Sequence, residues 1–351
     1  MDGVRRARPG ASGGRGGGVP VGEATERKTD TTEVTGRPRR TGRVRTVLAW
    51  TGVAGWGLWA LVRWAGGDRL PLIGEPAAPL LAVTPFVAAA APVPVVAALL
   101  LRRPAAAAAA ALVAVGLGAA VLPRALEGGQ PSPRGPVIKV MTANLLFGES
   151  DADQLVDLVR RGNVDVLCLQ ELPPEAVGRY ERAGLARLLP HKVVDARTGA
   201  AGTGLYSRYP LRALPPFPRT QMAMPRAELT VGDRRVEVTS VHPVPPISGE
   251  SHRDWKRDID VLPRAEGAPI RVLAGDFNAT LDHATLRALL GRGYADAADR
   301  TGKGLVHTWG TVIPLTLDHV LVDRRARVRS LDVHDLRGSD HRALVAEVVL
   351  P

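Results

Sequence analysis

The chain has one cysteine among its 351 residues, Cys168, and no internal repeat. A single cysteine excludes an intramolecular disulfide. Cys168 lies inside an apolar stretch, residues 164–169, and such a position is typical of a core residue rather than of a nucleophile.

The C-terminal part of the chain carries little net positive charge. Of the net charge of +11, residues 1–45 contribute +6 and residues 46–135 contribute +3, which leaves +2 for residues 136–351. The high isoelectric point therefore belongs to the N-terminal third. It is poor evidence that the C-terminal part binds nucleic acid.

Residues 1–45 lack apolar clusters and are rich in Gly, Arg, Thr and Pro. Such a segment cannot bury enough apolar surface to offset the conformational entropy of the chain. The composition predicts a disordered, basic tail.

Charge is scarce in three apolar stretches that follow, residues 46–65, 78–101 and 105–122. Each could cross a hydrocarbon layer about 30 Å thick at about 1.5 Å per residue. We expect three transmembrane helices within residues 46–123 and a linker over residues 124–135. A buried helix of a soluble protein is the alternative interpretation, whereas a signal peptide fits badly because a long polar segment comes first.

The positions of Lys and Arg predict the orientation of these helices. Nine flank the stretches on one side, namely Arg27, Lys28, Arg37, Arg39, Arg40, Arg43, Arg45, Arg102 and Arg103, and four on the other, namely Arg63, Arg69, Arg124 and Arg134. The richer side is expected to be cytoplasmic. We therefore expect a multi-pass plasma-membrane protein with a cytoplasmic N-terminus and residues 136–351 outside the cell.

Residues 136–351 alternate between strand and helix patterns. Strands are predicted at 137–143, 164–169, 204–207, 226–231, 236–241, 270–274, 317–322, 328–333 and 343–350, and helices at 151–161, 174–188, 251–262 and 281–290. Ser150 is the expected N-cap of the first of these helices, and Gly232-Asp233 predicts a hairpin. Such an order favours two sheets packed face to face with helices outside.

Polar residues that suit a hard cation stand where predicted strands begin or end. Asn144 and Glu171 follow apolar strands, and Asp340 precedes the last strand. Magnesium prefers oxygen ligands and keeps several waters, so one or two carboxylates and a carboxamide suffice. These three residues are the predicted metal ligands.

The segment from Gly275 to Asn278 carries two polar side chains two residues apart, which point to one face of an extended segment. Asp276 can orient or deprotonate water, and Asn278 can donate to a phosphoryl oxygen. His341 adds a titratable donor whose tautomer Asp318 could fix. His242, after another strand, is a second candidate donor. Together with a cation, such groups suit hydrolysis of a phosphoester.

The order of these polar blocks resembles that of the endonuclease/exonuclease/phosphatase superfamily, which includes deoxyribonuclease-I-like nucleases. The resemblance covers about residues 136–351. It rests on seven stretches: Thr142 to Asn144, Asp165 to Glu171, Gly202 to Arg208, Thr239 to His242, Gly275 to Asn278, Leu317 to His319 and Ser339 to His341.

The resemblance implies a four-layered α/β sandwich and hydrolysis that depends on a divalent metal, Mg²⁺ or alternatively Mn²⁺. It implies that Glu171 is the principal ligand with Asn144 and Asp340 nearby. The resemblance further implies that His242 and Asn278 contact the phosphate, that Asp276 activates water and that Asp318 pairs with His341. Whether one metal or two are used, and whether His341 is acid, base or electrostatic donor, stays open.

The substrate is expected to be a nucleic acid or a phospholipid headgroup, and no protein partner is indicated. Trp309, His307 and Arg342 are nearby candidates for contact. Leu317 stands where many nucleases of the family carry a basic residue, which counts against recognition of a base or an abasic site. The alternatives are a lipid or phosphomonoester phosphatase with the same site, and a catalytically silent binding module on a membrane stem.

Overall fold

The computed structural model describes residues 39–351. Over that range the chain forms eleven α-helices and twelve β-strands, apart from short 3-10 turns. The helices are α1 (Arg39–Trp64), α2 (Gly74–Leu81), α3 (Thr84–Ala89), α4 (Pro92–Leu100), α5 (Pro104–Val121), α6 (Ala152–Arg161), α7 (Pro174–Arg182), α8 (Leu185–Leu188), α9 (Gly249–Asp260), α10 (Ala284–Leu290) and α11 (Ala297–Arg300). The strands are β1 (Val137–Asn144), β2 (Val166–Gln170), β3 (His191–Asp195), β4 (Thr203–Ser207), β5 (Arg212–Ala213), β6 (Arg226–Val231), β7 (Arg234–Val241), β8 (Ile270–Asp276), β9 (Tyr294–Asp296), β10 (Asp318–Asp323), β11 (Arg327–Asp335) and β12 (Arg342–Val349).

The first five helices form a helical region, residues 39–125, that differs from the three straight spans expected. The stretch 78–101 is divided into the end of α2, α3 and α4, because prolines such as Pro85 and Pro92 lack the N–H that would continue a helix. The α2 segment and residues 84–100 meet at an angle of 65°. By length and composition one helix, Pro104–Ala125, could cross a membrane, or two if the bent pair counts as one span. The prediction of three transmembrane helices is therefore not supported.

The helices of this region pack through small side chains. Ala49 and Val53 of α1 are buried against Ala98 of α4 and against Ala106 and Ala110 of α5. Small residues let helix backbones approach closely, as in helix pairs within membranes. The outward faces carry exposed apolar side chains, among them Leu48, Leu58, Leu61, Leu99, Leu100, Leu112 and Val115.

Two boundaries expected from composition are shifted. Helix α1 begins at Arg39, so residues 39–45 are helical rather than part of a disordered tail, and the rest of that predicted tail lies outside the described residues. The expected linker, residues 124–135, is tied to the domain that follows it. Gln130 Nε2 donates to the carbonyl of Val328 at 3.0 Å, and Glu127 forms a bridge with Thr301.

Two six-stranded mixed sheets form the C-terminal domain. Their strand orders are β11-β12-β1-β2-β4-β3 and β5-β6-β7-β8-β10-β9. In each sheet one central pair is parallel, β1 with β2 and β7 with β8, while the other named pairs are antiparallel. The hairpin predicted at Gly232-Asp233 joins β6 and β7, with Val231 opposite Arg234.

Three apolar clusters make this domain a four-layered sandwich. Between the sheets lie side chains such as Val140 of β1 and Val272 of β8. The outer face of the first sheet packs on α6 to α8, and that of the second packs on α9 and α10. The α/β sandwich expected from the sequence is confirmed. Because each sheet is covered on both faces, successive residues of a central strand are buried on opposite sides, and the strand sequences are almost wholly apolar.

Local details depart from the sequence prediction at helix ends and at short strands. The N-cap of α6 is Asp151, whose carboxylate accepts from Gln154 N, and not Ser150, which bonds the buried Tyr180 hydroxyl instead. The helix predicted over residues 174–188 is interrupted at Gly184, where φ is 111°. Strands β3, β5 and β9 were not predicted.

Candidate active site

The polar residues singled out in the sequence meet because strand ends from both sheets share one edge. The parallel pairs place Asn144 opposite Gln170 and Val241 opposite Gly275 at their C-terminal ends. The antiparallel neighbour β10 begins at Asp318, opposite Asp276. Gln170 links the sheets at this edge, since it accepts from Thr142 and donates to Ser240 of β7 at 3.1 Å. The edge is where ligand sites of such sheets are built.

Gly275 is required where β7 and β8 approach. A Cβ at this position would lie 1.9 Å from the carbonyl oxygen of Val241. No other residue type fits such a contact without displacing the strand, because backbone cannot yield as a flexible side chain does. The glycine thus keeps Asp276 in register with its neighbours.

His341, Asp318 and Asp276 form a buried triad of titratable groups. His341 Nδ1 donates to Asp318 Oδ2 at 2.9 Å, and its Nε2 lies 3.7 Å from Asp276 Oδ2. The pairing of His341 with Asp318 that the sequence predicted is present. Because the Nδ1–H of His341 is bound to Asp318, Nε2 is the nitrogen that faces Asp276.

The two carboxylates control the charge of this histidine. Burial disfavours the charged imidazolium, but Asp318 and then Asp276 outweigh it and raise the pKa of His341 to about 10. Burial also raises the pKa of Asp276, while His341 opposes that rise. A carboxylate with a raised pKa is a stronger proton acceptor, which suits a group that takes a proton from water.

His242 enters the same site from the end of β7. Its Nε2 lies 3.8 Å from Asp276 Oδ2, and the imidazole also interacts with the backbone of Ala200. Burial lowers the pKa of His242. The two histidines therefore differ in charge at neutral pH, and it is Nε2 of His242 that faces the site.

Asn144 binds two carboxylates at once. Its Nδ2 donates to Glu171 Oε1 and to Asp276 Oδ2, both at 3.1 Å. Its Oδ1 accepts from the amide of Leu146 at 3.0 Å. In this arrangement Asn144 fixes the spacing of Glu171 and Asp276, and its predicted role as a metal ligand stays a prediction.

Two site residues have left-handed backbone, with φ of 54° at Glu171 and 47° at Asn278. Non-glycine residues in this region cost about 1 kcal/mol or more and concentrate at functional sites. Glu171 is held there by the amide of Phe147, which donates to its Oε2 at 2.9 Å. Asn278 is held by its own amide, which donates to Asp276 Oδ1 at 2.8 Å, and by Nδ2, which donates to the Pro243 carbonyl at 3.0 Å.

Asp340 is the most exposed of the predicted site residues, with 42% of its side chain accessible. Trp309 Nε1 donates to its Oδ2 at 2.8 Å. Ser339 secures the segment, because its hydroxyl donates to the Asn144 carbonyl at 2.8 Å and accepts from the His341 amide. Asp340 therefore stands at the rim of the site rather than inside it.

The donors present fit a hard divalent cation at Glu171. The side chains of Glu171 and Asp340 line one cavity and supply carboxylate oxygens. Asp276, Asp318 and His341 are close enough to share an ion as well. A cation bound there would compete with the hydrogen bond that His341 Nδ1 donates to Asp318. The predicted role of Glu171 as the principal ligand stays a prediction. Buried Asp318 Oδ1 accepts no hydrogen bond from the described residues, so this oxygen is free to accept one from a ligand.

The site opens into a cavity of about 490 Å³. Glu171, His242, Asp276, Asn278 and His341 line its polar side. Its remaining wall is apolar and includes Ala78, Pro79 and Ala82 of the helical region, with Met222, Pro245, Ile247, Leu315 and Leu317. Of the contact candidates, Trp309 lines this cavity, His307 lines the neighbouring one, and Arg342 is bound to Asp335.

The sequence prediction missed the contact between the helical region and the C-terminal domain. Asp282 accepts from Arg124 at 2.6 and 2.7 Å and from Arg63 at 3.1 Å, all three being buried. Asp68 accepts from the amides at the start of α10. The sequence assigned Arg63 and Arg124 only to loops beside a membrane. The adjacent polar residues Asp282 and His283 could have drawn attention to this contact, but their spacing in the sequence does not identify their partners.

Comparison with known proteins finds a family match that covers most of the C-terminal domain. The sequence profile of the endonuclease/exonuclease/phosphatase family matches residues 141–341. The chain belongs to this family. No protein of curated function matches it.

One solved structure of the family shares the fold, and other solved structures are similar to a lesser degree. An endonuclease/exonuclease/phosphatase from Beutenbergia cavernae is 18% identical, with a TM-score of 0.52 over 61% of this chain and 72% of that one. An AP endonuclease from Archaeoglobus fulgidus is 16% identical, with a TM-score of 0.49 over 60% and 98%. At these identities the likeness extends to the fold alone. Members of the family are typically phosphoester hydrolases that use divalent metals.

Proposed function

We propose that the chain is a membrane-anchored phosphoester hydrolase that depends on Mg²⁺ or Mn²⁺. The observation that carries this proposal is the convergence, at one sheet edge, of side chains from separate strand ends. They are Asn144, Glu171, His242, Asp276, Asn278, Asp318 and His341.

In the proposed reaction a water oxygen bonds to phosphorus, one P–O bond breaks, and the departing oxygen takes its proton from solvent water. Asp276 would accept the proton of the attacking water. His341 keeps its charge beside Asp276, so it can stabilise charge that develops on the phosphoryl oxygens. His242, through the ring edge that faces Asp276, and an N–H of Asn278 would contact the same oxygens. A cation held by Glu171 and Asp340, with Asn144 adjacent, would supply neutralisation of the phosphate charge.

The experiment is hydrolysis of bis(4-nitrophenyl) phosphate by the full chain in detergent, with and without EDTA and with Mg²⁺ or Mn²⁺ restored. We expect EDTA to abolish nitrophenolate release, and Asp276→Asn or His341→Ala to lower kcat by roughly 10²–10⁴-fold. Asp233→Asn, in the β6–β7 turn and 73% exposed, is the matched control. Equal activity in all variants would refute the site, and absence of hydrolysis under every metal condition would favour a silent binding module.

Membrane anchoring is supported by the exposed apolar faces of the helical region and by the length of Pro104–Ala125. We propose that residues 136–351 lie outside the cell. Leu72→Cys, at a loop residue that is 94% exposed, should react with an impermeant maleimide on intact cells, and Arg102→Cys only after permeabilisation. Cys168 is buried and burial raises the pKa of its thiol, so it stays silent. The opposite labelling pattern would invert the topology.

A further inference from the structure

The cavity of about 490 Å³ at the candidate active site, called here the catalytic cavity, lies next to an apolar cavity. This second cavity has a volume of about 300 Å³, and Ala82 and Leu315 line both. One wall of the second cavity is formed by Pro85, Phe86 and Ala89 of the helical region. The opposite wall is formed mainly by the loop 304–316, with Leu305 and Pro314. An apolar groove therefore runs from the site along α3.

The exposed apolar side chains of the C-terminal domain surround this same mouth. Within residues 136–351, all of which are described, the large hydrophobic side chains that are exposed are Phe147, Ile247, Leu305, Val312 and Ile313. The first two line the catalytic cavity and Leu305 lines the groove. Val312 and Ile313 lie in the segment between Trp309 and Pro314, which line the two cavities. Exposed apolar clusters mark surfaces that bind proteins, membranes or ligands. The helical region beside this opening also has exposed apolar faces, which favours a membrane lipid.

The charges near the site disfavour a polyanionic backbone. Among the residues of the described part that line the catalytic cavity, none is Lys or Arg. Arg124 lines the groove, but both its terminal nitrogens are bound to Asp282. Nucleic acid binding depends on several Lys or Arg contacts to phosphates. The cavity instead suits one phosphate beside an apolar chain.

We propose that the substrate is a membrane lipid phosphoester, with its phosphate at Asp276 and His341 and its hydrocarbon chain in the groove between α3 and the loop 304–316. This inference rests on the proposed hydrolysis. The helical region then has a second role, since Ala82 and Phe86 form part of the substrate-binding surface. A lipid would enter from the bilayer that surrounds those helices, without leaving the apolar phase completely.

The test compares two synthetic phosphodiesters that differ only in chain length, hexadecyl and methyl 4-nitrophenyl phosphate. Both are presented to the full chain in detergent micelles with Mg²⁺, and kcat/KM is taken from nitrophenolate release. Each buried methylene is worth about fourfold, so burial of several predicts a preference of roughly 100-fold or more for the hexadecyl ester. Partition of that ester into micelles would also raise the ratio, so variants decide the cause.

Ala82→Trp fills the junction of the two cavities, and Leu305→Asp places a charge in the groove. Both should lower the hexadecyl-to-methyl ratio at least tenfold. Leu305 is 39% exposed, so its replacement tests the groove even if Ala82→Trp fails to fold. Ala119→Trp, at an exposed position of α5 away from both cavities, is the matched control and should keep the wild-type ratio.

A wild-type ratio near one, or a ratio that neither groove variant changes, would overturn the lipid proposal while hydrolysis of the methyl ester upheld the proposed function. Greater kcat/KM for single-stranded or duplex DNA than for the hexadecyl ester would overturn it in favour of a nuclease. Hydrolysis of neither ester nor DNA with Mg²⁺ or Mn²⁺ would show that the proposed function itself had failed.

Discussion

The buried carboxylate of Asp282 offers a sharp test of how the helical region is attached. Its side chain is fully buried and receives Arg124 through two nitrogens and Arg63 through Nε. We consider the substitution Asp282→Asn, which keeps the shape of the side chain and removes its charge. Two guanidinium groups would then remain buried, with side chains only 6 and 7% exposed.

The size of the effect follows from desolvation. Breaking a buried ion pair by removing one partner costs about 3–5 kcal/mol, because the charge left behind is uncompensated. Crowding of positive charge adds to this cost here. Burial, followed by the nearby Arg63, lowers the pKa of Arg287 to about 10. We therefore expect Asp282→Asn to lower the free energy of unfolding by about 3–5 kcal/mol, near the upper end of single substitutions.

The assay is equilibrium unfolding in detergent, followed by tryptophan fluorescence, together with amide hydrogen exchange. Protection should be lost at the amides of Ala284 and Thr285, which donate to Asp68 across the same interface. Asp260→Asn is the control, because Asp260 also pairs with an arginine at 2.6 Å but is 47% exposed. It should cost about 0–1 kcal/mol. Equal losses in the two variants would refute the reasoning that burial sets the magnitude.

Three further predictions concern the site and its surroundings. Asp318→Asn should lower kcat by roughly 10²–10⁴-fold. It should also bring the pKa of His341 down from about 10, because the carboxylate that favours the imidazolium is lost. NMR titration of the histidine measures this pKa, and an unchanged value would contradict the prediction. Glu171→Gln should raise the Mg²⁺ concentration for half-maximal activity about 10–100-fold. Glu175→Gln, at an exposed position of α7, is the control and should leave that concentration unchanged. Equal metal dependence in the two variants would show that Glu171 is not a metal ligand. Burial raises the pKa of Asp258 to about 6, so the protonated form is favoured in the folded state and stability falls as pH rises from about 4 to about 6. Asp258→Asn should abolish that fall and be more stable than wild type at pH 8 by about 3 kcal/mol, measured by urea unfolding at each pH. Parallel pH profiles of the two proteins would speak against the assignment.

Strand and helix periodicity was enough to predict most of the C-terminal domain. The apolar strands from β1 to β12 that form the sandwich core were found because burial on both faces leaves an uninterrupted apolar run. β3 escaped because its residues, from His191 to Asp195, are only partly buried or exposed. The cap at Asp151 was misassigned to Ser150, since both are good N-cap residues and only the fold brings Tyr180 to the serine.

Hydropathy located the helical region but wrongly predicted three straight helices in it. Hydropathy averages over a window and does not register that prolines such as Pro85 and Pro92 divide an apolar stretch into short helices. Positive charges were assigned by their position in the sequence, although Arg63 and Arg124 are neutralised by a carboxylate over 150 residues away. Such pairings depend on contacts between distant segments, which local patterns do not contain.

The sequence by itself determined the family, the residue types at the site and the strands that carry them, because each depends on local order along the chain. Tertiary structure alone decided which groups share a cavity. It decided that Asn144 spans two carboxylates, that His341 is held charged while His242 is not, and that Ala82 of the helical region walls the site. These properties arise from burial and from distances between separate elements, and neither quantity is defined until the chain has folded.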